Sequence, residues 1–312
     1  MNIRFWGVRG SIASPLTNAA LEAKITKAVQ LGVEAGLTSD WQIPEFIRNL
    51  PCHLRQTAGG DTACVEIQAG DNLLILDAGT GIRRLGSHLV QMCGRNAIEA
   101  HILLTHTHWD HISGIPFFVP GFDPNNKLII YGPSPEVRDR VKNQQKPEYF
   151  PVPLAPAFRF VQLKEQEEFR IGDVRIETLL LNHPGNSYAY RITHNNKTVV
   201  YATDSEYKDL SAKALKPFTD FFDGADLLIY DAQFTFLESI EKEDWGHSNA
   251  LIGVDMALLS HVKKLAFIHH DPTYDDKKLW DMLETANEYL HIHWPDAELQ
   301  LYLAVEDMNM TI

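Results

Sequence analysis

Residues 103–115, LLTHTHWDHISGI, place three histidines and one aspartate within six positions. They are His106, His108, Asp110 and His111, and they follow an apolar run that is typical of a buried β-strand. His106 and His108 can face one side of an extended segment, whereas Asp110 and His111 follow a turn and can address a second metal nearby. Imidazole nitrogen and carboxylate oxygen suit zinc or a similar first-row ion, and the lack of cysteine argues against a closed structural zinc site.

Other apolar strands also end in a side chain that can bind a metal or transfer a proton: Asp77, His183, Asp204, Asp231 and His269. In an α/β fold the strand ends align along one edge of a sheet, where sites are built. His183 and His269 could complete one metal each, and Asp204 could bridge both through its two oxygens. We therefore predict two divalent transition metal ions, zinc or manganese, in the arrangement needed for two-metal hydrolysis. The predicted ligands are His106, His108, Asp110, His111, His183, Asp204 and His269.

The elements that must position these residues come as two groups of strands with helices among them. The first group runs from IRFWGV to KLIIYGP and includes AHILLTHTH, residues 100–108. The second runs from FRFVQL to KLAFIHHDP and includes one long strand run over residues 169–185. No glycine- or serine-rich linker divides the chain. We predict one α/β domain over residues 1–312, with a helical insertion at about residues 16–52.

Composition restricts the class of protein further. With 312 residues, of which 45% are hydrophobic, the chain can bury a full core. The net charge of −13 disfavours bulk binding of nucleic acid. No run of 18 apolar residues and no export signal is found, so we expect no membrane span. Cys52, Cys64 and Cys93 lack CxxC spacing, which predicts reduced thiols in a cytoplasmic protein.

The chain resembles the metallo-β-lactamase fold superfamily in one ordered set of residues: His106-x-His108-x-Asp110-His111, then His183, Asp204 and His269. It resembles in particular the branch of ribonuclease Z-like phosphodiesterases and cyclic-nucleotide phosphodiesterases, through FWGVRGSI, GGDTACVEI, LLILDAGTGIR, LNHPG, VVYATDSE and HHDP. The resemblance covers nearly the whole chain. It implies a four-layer αββα sandwich and a dinuclear metal-dependent hydrolase. It also favours His269 over the adjacent His270 as the last ligand.

The segment DWGHSNA contains one more candidate functional residue, His247, at the start of a helical pattern. In this branch a histidine in such a context contacts the phosphate or helps to protonate the leaving group. Asp231, in YDAQF, resembles the acidic position of the ribonuclease HEAT motif, where it would orient this histidine. Neither the histidine nor the glutamate of that motif is kept in this sequence. The resemblance thus implies catalytic roles for Asp110, His247 and Asp231. A capping cluster without chemistry is the alternative.

Size and charge favour a small cyclic nucleotide, or a related cyclic phosphodiester, as the substrate. A ribonuclease Z needs a long arm rich in basic and glycine residues, whereas the region between His111 and His183 looks like a compact connection. An RNA-processing nuclease and a non-catalytic nucleotide-binding sensor remain as alternatives. We further expect a homodimer, with the helical insertion acting as a lid or dimer element, or simply packed on the core.

Overall fold

The side chains along the strands alternate between two hydrophobic cores. Val199 and Tyr201 point into a core shared by two β-sheets, whereas Val200 and Ala202, on the same strand, face a core shared with helices. This alternation is what a strand needs when both faces of its sheet are covered. The computed structural model describes residues 1–94 and 96–312.

The first sheet has seven strands in the spatial order β14-β1-β2-β3-β4-β5-β6. Its strands are β1 Asn2–Gly7, β2 Cys64–Ala69, β3 Asn72–Leu76, β4 Glu99–Leu103, β5 Lys127–Gly132, β6 Phe158–Gln162 and β14 Asn309–Thr311. Strands β3 to β6 are parallel to one another, so their carboxyl ends lie at one edge.

The second sheet also has seven strands, in the order β13-β12-β11-β10-β9-β8-β7. Its strands are β7 Glu168–Ile171, β8 Val174–Leu180, β9 Tyr188–His194, β10 Lys197–Ala202, β11 Leu227–Asp231, β12 Lys264–Ile268 and β13 Gln300–Leu303. Strands β10 to β13 are parallel. Backbone contacts join the two sheets near the ends of their strands. The N–H of Tyr188 donates a hydrogen bond to the carbonyl of Thr105, and Arg9 forms an isolated β-bridge with His270.

Helices cover the outer face of each sheet, which confirms the predicted four-layer αββα sandwich. The helices are α1 Asn18–Glu34, α2 Ile43–Asn49, α3 Cys52–Arg55, α4 Ile82–Cys93, α5 Trp109–Ile112, α6 Val137–Asn143, α7 Ala212–Phe222, α8 Phe236–Glu241, α9 Ala250–Leu259 and α10 Asp276–His293. Within the described residues, no helix is both long and apolar enough to cross a membrane.

Two predicted strands are shorter than expected. The run over residues 169–185 is a hairpin of β7 and β8, which turns at Gly172 with φ +56°. The strand predicted over residues 100–108 ends at Leu103. The carboxylate of Asp77 accepts a hydrogen bond from the backbone N–H of Thr105 at 2.8 Å, so the chain leaves the ladder before the histidines. Helices α4, α5, α7 and α8 were not predicted.

Between β1 and β2 the chain forms α1, α2 and α3. Thr17 caps α1, because its side chain accepts a hydrogen bond from the N–H of Ala20. The side chain of Lys24 reaches Asp276 at the start of α10, which ties this region to the C-terminal helix. The apolar residues on α1 that the sequence places on one face are largely exposed, so this face is not packed on the core.

Candidate metal centre

The candidate site lies where the carboxyl ends of β3, β4, β10, β11 and β12 meet. Three residues at these ends have left-handed backbone conformations: Asp77 at φ 59°, Asp204 at φ 61° and His269 at φ 65°. Side chains disfavour this region, so such residues concentrate at functional sites, where the surroundings hold them. One neighbour of His269 is Gly10, where a Cβ atom would lie 2.4 Å from the Nδ1 of that imidazole. A glycine is therefore required beside His269.

A first group of donor atoms joins His106, His108 and His183. The Nε2 of His183 lies 3.1 Å from the Nδ1 of His108. His106 and His183 are buried, whereas His108 is exposed. The three imidazoles pack edge to face, with ring centres 4.4 to 4.9 Å apart. Three nitrogens converge in this way when they share one cation.

A second group joins Asp110, His111, Asp204 and His269, all of them buried. The Nε2 of His269 lies 3.0 Å from the Oδ2 of Asp110 and 3.3 Å from the Nε2 of His111. Asp204 lies between the two groups. Its Oδ2 is 3.4 Å from the Nε2 of His111, and its Oδ1 is 3.8 Å from the Nε2 of His183.

A hydrogen-bond partner on the far side of the ring orients each of four imidazoles. In each case the Nδ1 makes this bond and the Nε2 is left to face the cluster. The Nδ1 partners are the Thr105 hydroxyl for His106, Asp77 for His111, the Gly246 carbonyl for His183 and Gln233 for His269, at 2.8 to 3.0 Å. Such partners fix the tautomer of metal-binding histidines. Sequence analysis gave Asp77 no role beyond its strand end and missed Thr105, Gln233 and Gly246. The position of Gln233 two residues after Asp231 was the available signal.

The donor set fits a pair of divalent cations. The Nε2 of His106 is buried and has no hydrogen-bond partner among residues 1–94 and 96–312. A buried nitrogen without a partner is costly unless another group, such as a metal ion, takes its lone pair. The remaining donors are imidazole nitrogens and carboxylate oxygens, which zinc and other first-row divalent ions accept.

The ionisation of the cluster agrees with this fit. Burial lowers the pKa of His106 well below its usual value and also lowers the pKa of His183. Burial would raise the pKa of Asp110, but His111 and His269 outweigh it and hold that pKa far below its usual range. Burial likewise opposes protonation of His269, yet Asp204 and Asp110 raise its pKa to about 9. The carboxylates therefore create a field that favours a cation.

His247 and Asp231 form a pair beside the two groups. The Nδ1 of His247 lies 2.9 Å from the Oδ2 of Asp231, which is fully buried at the end of β11. The ring of His247 stacks on His269, with 5.0 Å between ring centres. His247 also falls within two further donor groups, one with His183 and Asp204 and one with Asp231 and His269. A hydrogen-bonded acid–base pair thus borders the candidate metal centre.

His270 points away from the cluster. Its Nε2 donates to the carbonyl of Ala304 at 2.8 Å, and burial lowers its pKa to about 3. The structure therefore places His269, and not His270, among the donor atoms. Ser11, which sequence analysis did not single out, donates its backbone N–H to the Oδ2 of Asp110 at 2.7 Å.

Two facing sheets with histidines and carboxylates at their shared strand edge define the metallo-β-lactamase class of hydrolase folds. A family model described as "Beta-lactamase superfamily domain" matches residues 72–270, more than half of the chain. The protein belongs to this family, and its relatives place it in the ribonuclease Z-like branch.

Two curated relatives illustrate the similarity. The chain is 26% identical over 226 residues to "Ribonuclease Z" of Prochlorococcus marinus (strain AS9601), covering 56% of this chain and 72% of the relative. It is 28% identical over 194 residues to "Probable metallo-hydrolase YhfI" of Bacillus subtilis (strain 168), covering 59% of this chain and 69% of the relative.

Solved structures share the fold over almost the full length of both chains. The Bacillus subtilis metallo-β-lactamase fold protein YhfI has a TM-score of 0.65 at 19% identity, covering 99% of this chain and 98% of that one. Unliganded yeast PDE1 has a TM-score of 0.64 at 12% identity, covering 100% and 99%. The short form of human tRNase Z has a TM-score of 0.61 at 15% identity, covering 100% and 98%.

Proposed function

We propose that this protein is a metal-dependent phosphodiesterase that acts on a small cyclic nucleotide or a related cyclic phosphodiester. The observation that carries the proposal is the pair of donor groups that meet at Asp204, with the His247–Asp231 pair beside them. We propose His106, His108 and His183 as ligands of one ion, and Asp110, His111 and His269 as ligands of the second. Asp204 would serve both. Zinc is the preferred ion and manganese the second choice.

When bound, such ions lower the pKa of water and neutralise phosphate charge. Hydrolysis adds water to phosphorus, breaks the bond to the leaving oxygen and requires one proton on that oxygen. His247 is placed to supply it. Asp231 accepts the hydrogen bond from the Nδ1–H of His247, so Nε2 is the nitrogen that can hand a proton to the leaving oxygen when the ring is an imidazolium. Asn249 caps the adjacent helix α9, whose N-terminus favours an anion.

The substrate preference rests on the segment between His111 and His183. This segment folds as β5, α6 and β6 to β8, and its longest stretch without a helix or strand is residues 144–157. Its four strands belong to the two sheets, as expected for a compact connection rather than an arm. The net charge of −13 also disfavours a large polyanion.

RNA processing is the second candidate, because several curated relatives are named ribonuclease Z. A panel of 3′,5′- and 2′,3′-cyclic nucleotides, linear dinucleotides and a precursor tRNA would separate the two candidates. A cyclic phosphodiesterase should turn over a cyclic ester at least about tenfold faster than the precursor tRNA. The reverse order would support the nuclease.

One variant separates an enzyme from a nucleotide-binding sensor. Asp110→Ala should remain folded but lose orders of magnitude in hydrolysis of bis-p-nitrophenyl phosphate, and elemental analysis should show about two metal ions in the parent protein. Less than about half an equivalent after reconstitution would contradict the dinuclear site. A parent protein that binds cyclic nucleotides stoichiometrically without forming product would be a sensor.

We also propose that the protein is a cytoplasmic homodimer that pairs through α1. Four apolar residues spaced four apart form one face of this helix: Leu21, Ile25, Val29 and Val33, exposed by 46, 55, 60 and 75%. Such a face is self-complementary when two copies of α1 pack antiparallel about a two-fold axis. The three cysteines are free thiols, as expected in a reducing compartment.

A further inference from the structure

The turn that follows α8 carries two side chains beside the candidate site, Lys242 and Trp245. The N–H of Trp245 bonds to the carbonyl of Lys242 at 3.2 Å, which closes the turn. The next residue, Gly246, has φ +83° and accepts a hydrogen bond from the Nδ1 of His183 at 2.9 Å. Trp245 therefore directly precedes the residue whose carbonyl orients a proposed metal ligand, and its side chain is 62% exposed.

Two aromatic rings and one carboxylate hold the ammonium of Lys242. Its Nζ lies 4.1 Å from the ring centre of Phe234, 5.7 Å from that of Trp245 and 3.7 Å from the Oδ2 of Asp271. Phe234 in turn packs edge-on against His247, with 5.7 Å between ring centres. One buried ring therefore separates the positive charge from the proposed proton donor.

An exposed indole and a cation near the proposed phosphodiester site suit a nucleoside ester. An exposed indole offers a flat surface on which any nucleobase can stack. The cation adds a local attraction for the anionic diester in a protein that is negative overall.

We propose that Lys242 and Trp245 form a specificity subsite that binds the nucleoside part of the substrate, with the base on Trp245. The inference rests on the proposed phosphodiesterase function and names the group that this site selects. Stacking strengthens binding of the ground state and the transition state alike, so its loss should raise KM and leave kcat unchanged.

The test compares two esters with the same leaving group. Thymidine 5′-(p-nitrophenyl phosphate) carries a base, and methyl p-nitrophenyl phosphate does not. For Trp245→Ala we expect KM for the thymidine ester to rise about 5- to 100-fold, the usual effect of losing one stacked base. The methyl ester should be unaffected. Trp245→Phe should recover much of the loss, and Lys242→Met should raise KM for both esters.

Trp294→Ala is the matched control. The first turn of α10 contacts α8 through Lys278 and Glu238. Trp294 is also an exposed tryptophan, but it follows the opposite end of α10, about 27 Å along the helix from Asp276 at a rise of about 1.5 Å per residue. Its removal should change neither ester. Equal effects of Trp245→Ala on both esters, or none on the thymidine ester, would overturn the subsite.

A binding measurement tests the subsite independently of whether the protein catalyses the proposed reaction. Thymidine 5′-monophosphate should quench tryptophan fluorescence of the parent protein, and this quenching should be lost in Trp245→Phe but kept in Trp294→Ala. If the parent hydrolysed neither ester, the proposed function would fail while the quenching still decided the subsite. Quenching that survives in Trp245→Phe would refute the subsite whatever the activity.

Discussion

Replacing Asp77 by asparagine tests whether the hydrogen bonds behind the cluster control metal binding. Asp77 is fully buried and accepts from Thr105 N–H at 2.8 Å, from Tyr201 at 3.0 Å and from His111 Nδ1–H at 2.8 Å. An asparagine can keep an oxygen toward Thr105, but its amide group then faces Tyr201 and His111. The tyrosine hydroxyl can rotate to accept that hydrogen bond. The imidazole can accept it only if its proton moves from Nδ1 to Nε2, the nitrogen that faces the cluster.

The expected magnitude follows from that contact. A hydrogen bond to a charged group contributes about 1.5–3 kcal/mol, which corresponds to roughly 10- to 100-fold in an equilibrium constant. Loss of a partner behind a metal ligand has the same measured range. We therefore expect Asp77→Asn to weaken zinc binding by about 10- to 100-fold, measured by competition with a chromogenic chelator.

Asp173→Asn is the control for this change. It removes another aspartate–histidine pair, in which Asp173, in the β7–β8 turn, lies 2.9 Å from His194 at the end of β9. Zinc affinity should be unchanged in this variant. Thermal unfolding of both metal-free variants shows whether each remains folded. A folded Asp77→Asn protein with the zinc affinity of the parent would refute the orienting role of Asp77.

Four further predictions concern separate parts of the molecule. His247→Ala should lower kcat about 10²- to 10⁴-fold on an unactivated diester, with a smaller loss on a p-nitrophenyl ester and unchanged metal content; loss of a metal ion would instead make His247 a ligand. Gly246→Ala should reduce metal occupancy in elemental analysis, because a Cβ atom there would lie 2.4 Å from the Nδ1 of His183; full occupancy would contradict this. Burial opposes ionisation of Glu238, but its hydrogen bonds lower its pKa to about 2. The ionised carboxylate therefore contributes its full stabilisation above about pH 4.5, and this stabilisation is lost as the pH falls through 2. Glu238→Gln should flatten this part of a profile of Tm against pH. Ile25→Lys should convert the dimer to a monomer in light scattering, and a parent protein that is already monomeric would rule out the α1 interface.

The strand patterns predicted one α/β domain with two groups of strands, because alternating and fully apolar runs both follow from burial, whereas the four layers were implied by the family resemblance. Sequence analysis failed at local features with other causes. The strand before His106 ends early because the side chain of Asp77 captures a backbone N–H, which periodicity does not reveal. The hairpin at Gly172 was hidden within a run of strand-forming residues.

The ligand-type residues were recognisable because their chemistry is rare at strand ends, and the structure brings all seven together with His247 and Asp231. Their orienting partners were harder to find. A glutamine, a threonine and a glycine carbonyl have many ordinary uses in a protein. Only the fold shows that Gln233, Thr105 and Gly246 lie behind imidazoles.

The position of the cluster between the two sheets has a consequence for cooperativity. His106 to His111 follow a strand of the first sheet, whereas Asp204 and His269 follow strands of the second. A bound ion would be a cross-link between two layers that otherwise adhere through apolar contacts and a few hydrogen bonds. Its binding free energy would then be available only while both layers are folded, so opening of either one would release the ion. Hydrogen exchange at the ends of β4 and β12 should therefore be independent in the metal-free protein and should become synchronised when zinc is added.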